Sequence, residues 1–139
     1  MPRVWKSILR VAAGCGGTMA LIMIACPLAI REPTAYSGEI AAIRTMRTVH
    51  TSQVKYFSQY ARYASSLKEL GDLIDPELAS GAKRGYKFTM TGNASDYAIH
   101  ADPENYGKTG SRTFYSDETM VIHQSRGPAP ATATSPDLK

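Results

Sequence analysis

GEIAAIRTMRTVHTSQVKYFSQYARYAS, running from Gly38 to Ser65, is the stretch that decides the fold. Around and within it Tyr36, Ile40, Ile43, His50, Val54, Phe57 and Ala61 recur at spacings of three, four or seven residues, the repeat of one face of an α-helix. Ala42, Met46, Val49, Tyr56, Tyr60 and Tyr63 form a second stripe beside the first. Ser37 can cap the start and Glu39 suits the first turn, so the spacing predicts a helix from Gly38 to Ser65. Arg44, Arg47, Lys55 and Arg62 stand at the margins of the apolar arc, as on a solvated flank. A basic amphipathic helix for a membrane surface or target peptide would need denser charge than these long neutral gaps provide. The arc is wider than one small domain can cover, and leftover apolar surface of this kind points to neighbours in an assembly.

Downstream the punctuation changes. Ala64 to Ser80 reads as a connection with Leu67, Leu70, Leu73, Ile74 and Leu78 tucked inward and Gly71, Asp75-Pro76 and Gly81 as breaks. From Tyr86 the period becomes two: Tyr86, Phe88 and Met90 alternate with Lys87, Thr89 and Thr91, the pattern of a half-buried strand. Gly92-Asn93-Ala94-Ser95 turns the chain, and Tyr97, Ile99 and Ala101 return it. Asp102 to Gly110 is a loop by its turn residues, after which Arg112–Ser116 and Thr119–His123 read as a further pair around Asp117-Glu118. The fold class predicted is α+β, a long N-terminal helix packed on a small antiparallel sheet. Gly127 to Lys139, with Pro128, Pro130 and Pro136, lacks apolar residues to offset the entropy of ordering and is expected to be a disordered tail.

Upstream, Val11 to Ile30 carries no charge and has the length a helix needs to cross about 30 Å of hydrocarbon. Arg3, Lys6 and Arg10 precede it, whereas Arg31 and Glu32 cancel after it, which keeps the N-terminus cytoplasmic and exports the rest. Three fates compete for this segment. A cleaved secretory signal fits the basic start but finds no good A-x-A site. Lipidation would use Met23-Ile24-Ala25-Cys26, with acylation at Cys26, although Met23 and Pro27 suit it poorly. The favoured reading is a membrane anchor in which Cys15 and Cys26 pack as small apolar residues. The expected layout is a basic cytoplasmic start at 1–10, an anchor or signal at 11–30, a helix stem and sheet at 31–126 and the tail at 127–139.

Charge excludes one class of partner. The chain of 139 residues carries 16 basic and 12 acidic side chains, but three of the basic ones precede the apolar segment and leave the body nearly neutral. A nucleic-acid binder needs a basic face to displace counterions from phosphates, and a body with 13 basic against 12 acidic residues offers no such excess, so nucleic acid is set aside. Both cysteines lie in the apolar run, leaving the body no thiol for a disulfide, a nucleophile or a zinc site.

No catalytic, cofactor or metal residue can be nominated. His50, His100 and His123 lack any H-x-x-x-H or H-E-x-x-H spacing and read as surface or half-buried polar groups. Asp102, Glu104 and Asn105 fall short of a calcium cage, and adjacent Asp117-Glu118 point apart in a tight turn rather than flanking a bond. There is no G-x-S-x-G elbow or phosphate-binding glycine loop. An enzyme is not expected.

The stretch Gly38-Glu39-Ile40-Ala41-Ala42-Ile43-Arg44-Thr45-Met46-Arg47-Thr48-Val49-His50-Thr51-Ser52-Gln53-Val54-Lys55-Tyr56 resembles the type IV pilins and type II secretion pseudopilins of bacteria, whose long helix commonly reads N-E-A-x-A-x-x-x-L-R-T-I-N-T-A-Q-x-x-Y. Gly85-Tyr86-Lys87-Phe88, Tyr97 to Pro103 and Thr109-Gly110-Ser111-Arg112-Thr113-Phe114-Tyr115-Ser116-Asp117 continue the similarity. Pro27 falls where such proteins bend their helix, and Glu39 matches the helix acid. One departure is clear: where the family has a glycine followed by F-T-L-I-E, this chain has Trp5-Lys6-Ser7-Ile8-Leu9-Arg10. Arg10 stands where the family's glutamate neutralises the terminal amine of a neighbour, which argues against prepilin processing and ordinary filament entry.

What the resemblance implies is a single-pass protein of the bacterial inner membrane, its C-terminal domain in the periplasm or cell exterior. It would serve as a structural subunit or accessory of a pilus or pseudopilus, with the membrane and protein partners or its own copies along the helix. The alternative is a non-polymerising lipoprotein or single-span protein that uses the domain to bind a partner.

Overall fold

The computed structural model describes residues 34–139. Helix α1 spans Ala35–Tyr60. It begins before the predicted Gly38 because Thr34, not Ser37, is the cap: the Thr34 hydroxyl accepts from the Ser37 amide at 3.3 Å. It also ends short of Ser65. Ala61 takes a left-handed conformation, φ 54°, and its amide closes the last turn on the Phe57 carbonyl at 2.8 Å. The reversal is held from inside by Gln53, whose side-chain amide donates to the Ala64 carbonyl at 3.1 Å while its oxygen accepts from the Ala64 amide at 2.9 Å.

The connection that follows is a 3-10 helix, Leu67–Leu73, and a single helical turn, α2, Pro76–Ala79. Leu67, Leu70, Ile74 and Leu78 are buried as their spacing predicts.

Five strands then form one antiparallel meander in chain order: β1 Ala82–Lys83, β2 Tyr86–Gly92, β3 Tyr97–Pro103, β4 Arg112–Asp117 and β5 Ile122–Arg126. The alternation in β2 and β3 buries Tyr86, Phe88 and Met90 and, across from them, Tyr97, Ile99 and Ala101. Strand β1 has too few residues to show any period. It joins β2 through Arg84-Gly85, both at positive φ (50° and 80°), the mirror-image turn whose twist suits a hairpin. The last turn runs further than Asp117-Glu118, and β5 starts at Ile122, not Thr119. Asp117 Oδ1 accepts from both the amide and the hydroxyl of Thr119, and Met120 is left-handed at φ 63°, so this segment cannot enter the ladder.

The second helical stripe faces the sheet as far as Tyr56, and its Tyr60 is exposed. Ala42, Met46, Val49 and Tyr56 share one core with Tyr86, Phe88, Met90, Ile99 and Phe114. The architecture is therefore α+β, a long helix on an antiparallel sheet. At one end Gly38 lies against the Thr109 carbonyl and Tyr86, and at the other Gly92 lies against the Ala64 carbonyl, so β2 and α1 run in the same direction.

Residues 127–139, expected to be disordered, are instead laid along the outer edge of β5. The Gln124 amide donates to the Pro136 carbonyl at 2.9 Å and the Leu138 amide to the Ile122 carbonyl at 2.7 Å; Thr113 Oγ1 donates to the Ala129 carbonyl at 2.9 Å, and Ala131 is buried. Backbone groups of an unpaired strand edge supply the partners that the tail's composition did not suggest. Val11–Ile30, Arg10, Cys26 and Pro27 lie outside the described residues, among which no helix is long and apolar enough to cross a membrane.

A Cβ on Gly38 would overlap the Thr109 backbone carbonyl. Gly38→Ala, which helix propensity alone would favour, is expected to lower the thermal midpoint by about 5 °C or more through this overlap, as circular dichroism melting would show.

Candidate interaction face

The polar groups buried under α1 are the first candidates for chemistry, and each turns out to be engaged. Glu39, 4% exposed, accepts from the amide and hydroxyl of Ser111 at 2.9 and 2.8 Å. Its other oxygen, Oε2, accepts two bonds from Arg112, Nε at 2.9 Å and Nη2 at 2.7 Å. Burial pushes its carboxyl up, but the Ser111 and Arg112 donors outweigh burial and hold it below the usual range. Arg112 spends Nη1 on Gln124 at 2.8 Å, and its carbonyl accepts from the Tyr86 hydroxyl at 2.9 Å. Glu39 is thus a pin between the first turn of α1 and the start of β4, almost wholly enclosed.

His50 is fully inside, not a surface or half-buried group. Its Nδ1 lies 2.6 Å from the Tyr97 hydroxyl and its Nε2 2.8 Å from Ser116 Oγ. A serine and histidine at that distance have the spacing of a nucleophile and its base. The hydrogen-bond directions exclude that role for this pair. Ser116 donates its only hydroxyl proton to the Val121 carbonyl at 2.7 Å, so it can only accept from His50 Nε2–H, and Nδ1 then accepts from Tyr97. Ser116 has no exposed surface. The chain Tyr97, His50, Ser116, Val121 is closed and requires a neutral imidazole; burial lowers the affinity of His50 for a proton, partly opposed by Asp117.

The remaining polar candidates are scattered. His100 and His123 flank Tyr115, with ring centroids 5.0 and 6.0 Å from it, and His123 Nδ1 is held by the Ser135 carbonyl and Asp137. Asp102 pairs in register with Lys87 on β2, while Glu104 and Asn105 are exposed in the following loop. Asp117 and Glu118 line a polar groove of about 320 Å³ with Asp96. Among the described residues no three His, Cys, Asp or Glu side chains converge as a metal site would need. Glu69, by contrast, gathers Ser65, Tyr56 and Arg62 and is held down at about 2, locking the chain after α1.

What α1 leaves uncovered is part of its first stripe, since His50 is buried and Ile43 packs against the core. Tyr36 is 70% exposed, Val54 48% and Phe57 41%, with Tyr60 beyond them. Phe57 stacks on Tyr63, which stacks on Tyr97, at 4.8 Å between centroids in each case, so the exposed aromatic end is rigid. Met120 and Val121 on the last turn are also exposed, and Met120 closes a groove of about 490 Å³ with Arg47, His50, Thr51, Val54 and Lys55. The exposed apolar residues therefore gather toward the C-terminal end of α1 and the turn beside it, with Tyr36 apart at the other end. No protein-family model, curated protein or solved structure matches the chain.

Sequence reasoning named Glu39 and His50 without their partners. Ser111 and Arg112 lie more than seventy residues away from Glu39, and no local signal links them. Gln53 and Ser116 passed unnoticed because a buried amide or hydroxyl has no period of its own.

Two outcomes are expected. Glu39→Ala should cost about 3 kcal/mol, the lower end for breaking a buried pair because Arg112 keeps 24% of its side-chain surface, with Glu39→Ala/Arg112→Ala recovering part of the loss in denaturant titration. Because the folded state holds His50 neutral while the unfolded chain protonates it near pH 6.5, stability is complete above that pH and falls as pH drops below it, by at most about 1.4 kcal/mol per unit. His50→Gln should flatten the decline between pH 7 and 5; a wild-type profile already flat there would refute the neutral-imidazole requirement.

Proposed function

We propose that this chain is a membrane-anchored, extracytoplasmic pilin-like structural subunit, its sheet domain carried on α1 and the outward side of that helix facing neighbouring copies. The observation that carries this reading is the apolar surface α1 leaves bare after its inner stripe is buried on the sheet: Val54, Phe57 and Tyr60 toward its C-terminal end and Tyr36 at its start. A helix serving only its own domain needs a single stripe. The uncharged segment Val11–Ile30, ahead of the helix and behind three basic residues, supplies the anchor. The resemblance around Glu39 and through Thr109–Asp117 supports the same plan. Buried polar groups that are all spent on internal bonds fit a structural role.

A second reading has its own support. Trp5–Arg10 lacks the glycine and the glutamate of pilin maturation, and Glu39 is consumed within the domain and offers nothing to a neighbour. A non-polymerising lipoprotein or single-span protein would use the same bare surface for a different partner.

Photocrosslinking separates the two. With a benzophenone side chain at Val54 or Phe57 of the full chain in its native membrane, the first reading expects adducts at multiples of the chain mass, and none from Thr89 on the outer face of the sheet. Adducts with another protein alone would favour the second. The mass of the mature chain adds an independent check: acylated Cys26 would mean a lipid anchor, a methylated N-terminus near Lys6 prepilin processing, and an intact Met1 an uncleaved span.

A further inference from the structure

Two grooves at opposite ends of the domain are lined by opposite charge. Where α1 begins, a groove of about 530 Å³ is lined by Tyr36, Ser37, Ile40 and Arg44 of the helix and by Lys83 and Arg84 of the β1–β2 turn, with no acidic residue in its wall. At the far end, seven strand residues or about 20 Å along β2, the groove beside the β2–β3 turn is lined by Asp96, Asp117 and Glu118 with no basic residue. Lys83 is paired with Asp75. Arg44 and Arg84 are exposed and have no acidic partner among the described residues. Arg84 also occupies a left-handed position, φ 50°, that glycine or asparagine would hold more cheaply, and it projects its charge over the groove from there. Glu104, on the adjoining loop, uses its amide on the Gly85 carbonyl and does not enter the groove wall.

We propose that this basic and aromatic groove docks the domain onto the phosphate headgroups of an anionic bilayer, the same bilayer that holds the chain's own apolar segment. The proposal rests on the anchor reading given above. Only Arg31 to Thr34 separate Ile30 from the first residue of α1, so the tether reaches about 18 Å at most, and the groove is at the end of the domain where the tether enters. Phosphates fit two unpaired guanidinium groups, and Tyr36 presents the amphipathic ring favoured at headgroup level. The acidic far end is repelled by the same surface. Docking by one end and repulsion of the other would set the angle at which α1 leaves the membrane, and so which part of its bare surface a neighbour can reach.

The test uses full-length chain reconstituted in neutral phosphatidylcholine vesicles and in vesicles that are one-third phosphatidylglycerol. A single tryptophan is placed by Trp5→Phe with Tyr36→Trp and read by quenching from brominated lipid. Flotation with both vesicle types is expected, with quenching several-fold stronger in the anionic ones, since each arginine near such a surface multiplies the docking equilibrium constant about fivefold. Arg44→Glu/Arg84→Glu should return quenching to the neutral-lipid level while the chain still floats and melts normally. Arg44→Lys/Arg84→Lys should keep most of it. A chain that floats but quenches equally in both lipids, or ignores the charge reversal, overturns the docking and leaves the anchor standing. A chain that floats with neither vesicle overturns the anchor and the docking together.

Discussion

The bond between Glu39 and the Ser111-Arg112 corner fixes where α1 may lie on the sheet. Four charge-assisted hydrogen bonds converge on one carboxylate in the first helical turn, and the arginine that supplies two of them also reaches β5 through Gln124. The carbonyl of that arginine holds the Tyr86 hydroxyl. Helix, first long strand and last hairpin are therefore registered against one another at a single corner. Bare glycines permit this: Gly38 and Gly110 both stand where a Cβ would strike a neighbour, so the polypeptide can come close enough for the carboxylate to be enclosed. At the opposite end, Gln53 performs a similar office with neutral groups, clasping Ala64 and turning the chain off the helix. Between the two clamps, the apolar contact of Met46 and Val49 with the sheet has only one register available.

How much of this could be read beforehand depended on whether the cause was local. The period of two from Tyr86 to Met90 and from Tyr97 to Ala101 comes from the pleat itself, and both strands stand where that period put them. The inner stripe of α1 was equally visible because 3.6-residue periodicity is a property of the helix alone. The helix end was not, since the left-handed turn at Ala61 is imposed by Gln53 through tertiary bonds. The tail was misjudged for a related reason. Its proline-rich composition is poor in apolar residues, yet its order comes from backbone bonds to β5, to which side-chain composition is nearly blind. His50 looked like an ordinary polar residue because its partners, Tyr97 and Ser116, are 47 and 66 positions away.

Two kinds of surface result. The inside of the domain holds its carboxylate, imidazole, amide and hydroxyl groups in closed sets, and no buried side-chain polar atom among the described residues lacks a partner. Such an interior resists repacking. The outside carries the unspent interactions: the apolar residues α1 leaves bare, the exposed end residues Met120 and Val121, and two grooves lined by opposite charge.

The tail laid against β5 has a further meaning for how copies could meet. One side of the meander ends in a strand of two residues, and the other is occupied by the chain's own residues 136–138. Strand donation between molecules is thereby discouraged at both margins. Any partner must come to a domain that is already complete, held by side chains and shape, and it can depart without unravelling the fold it leaves behind.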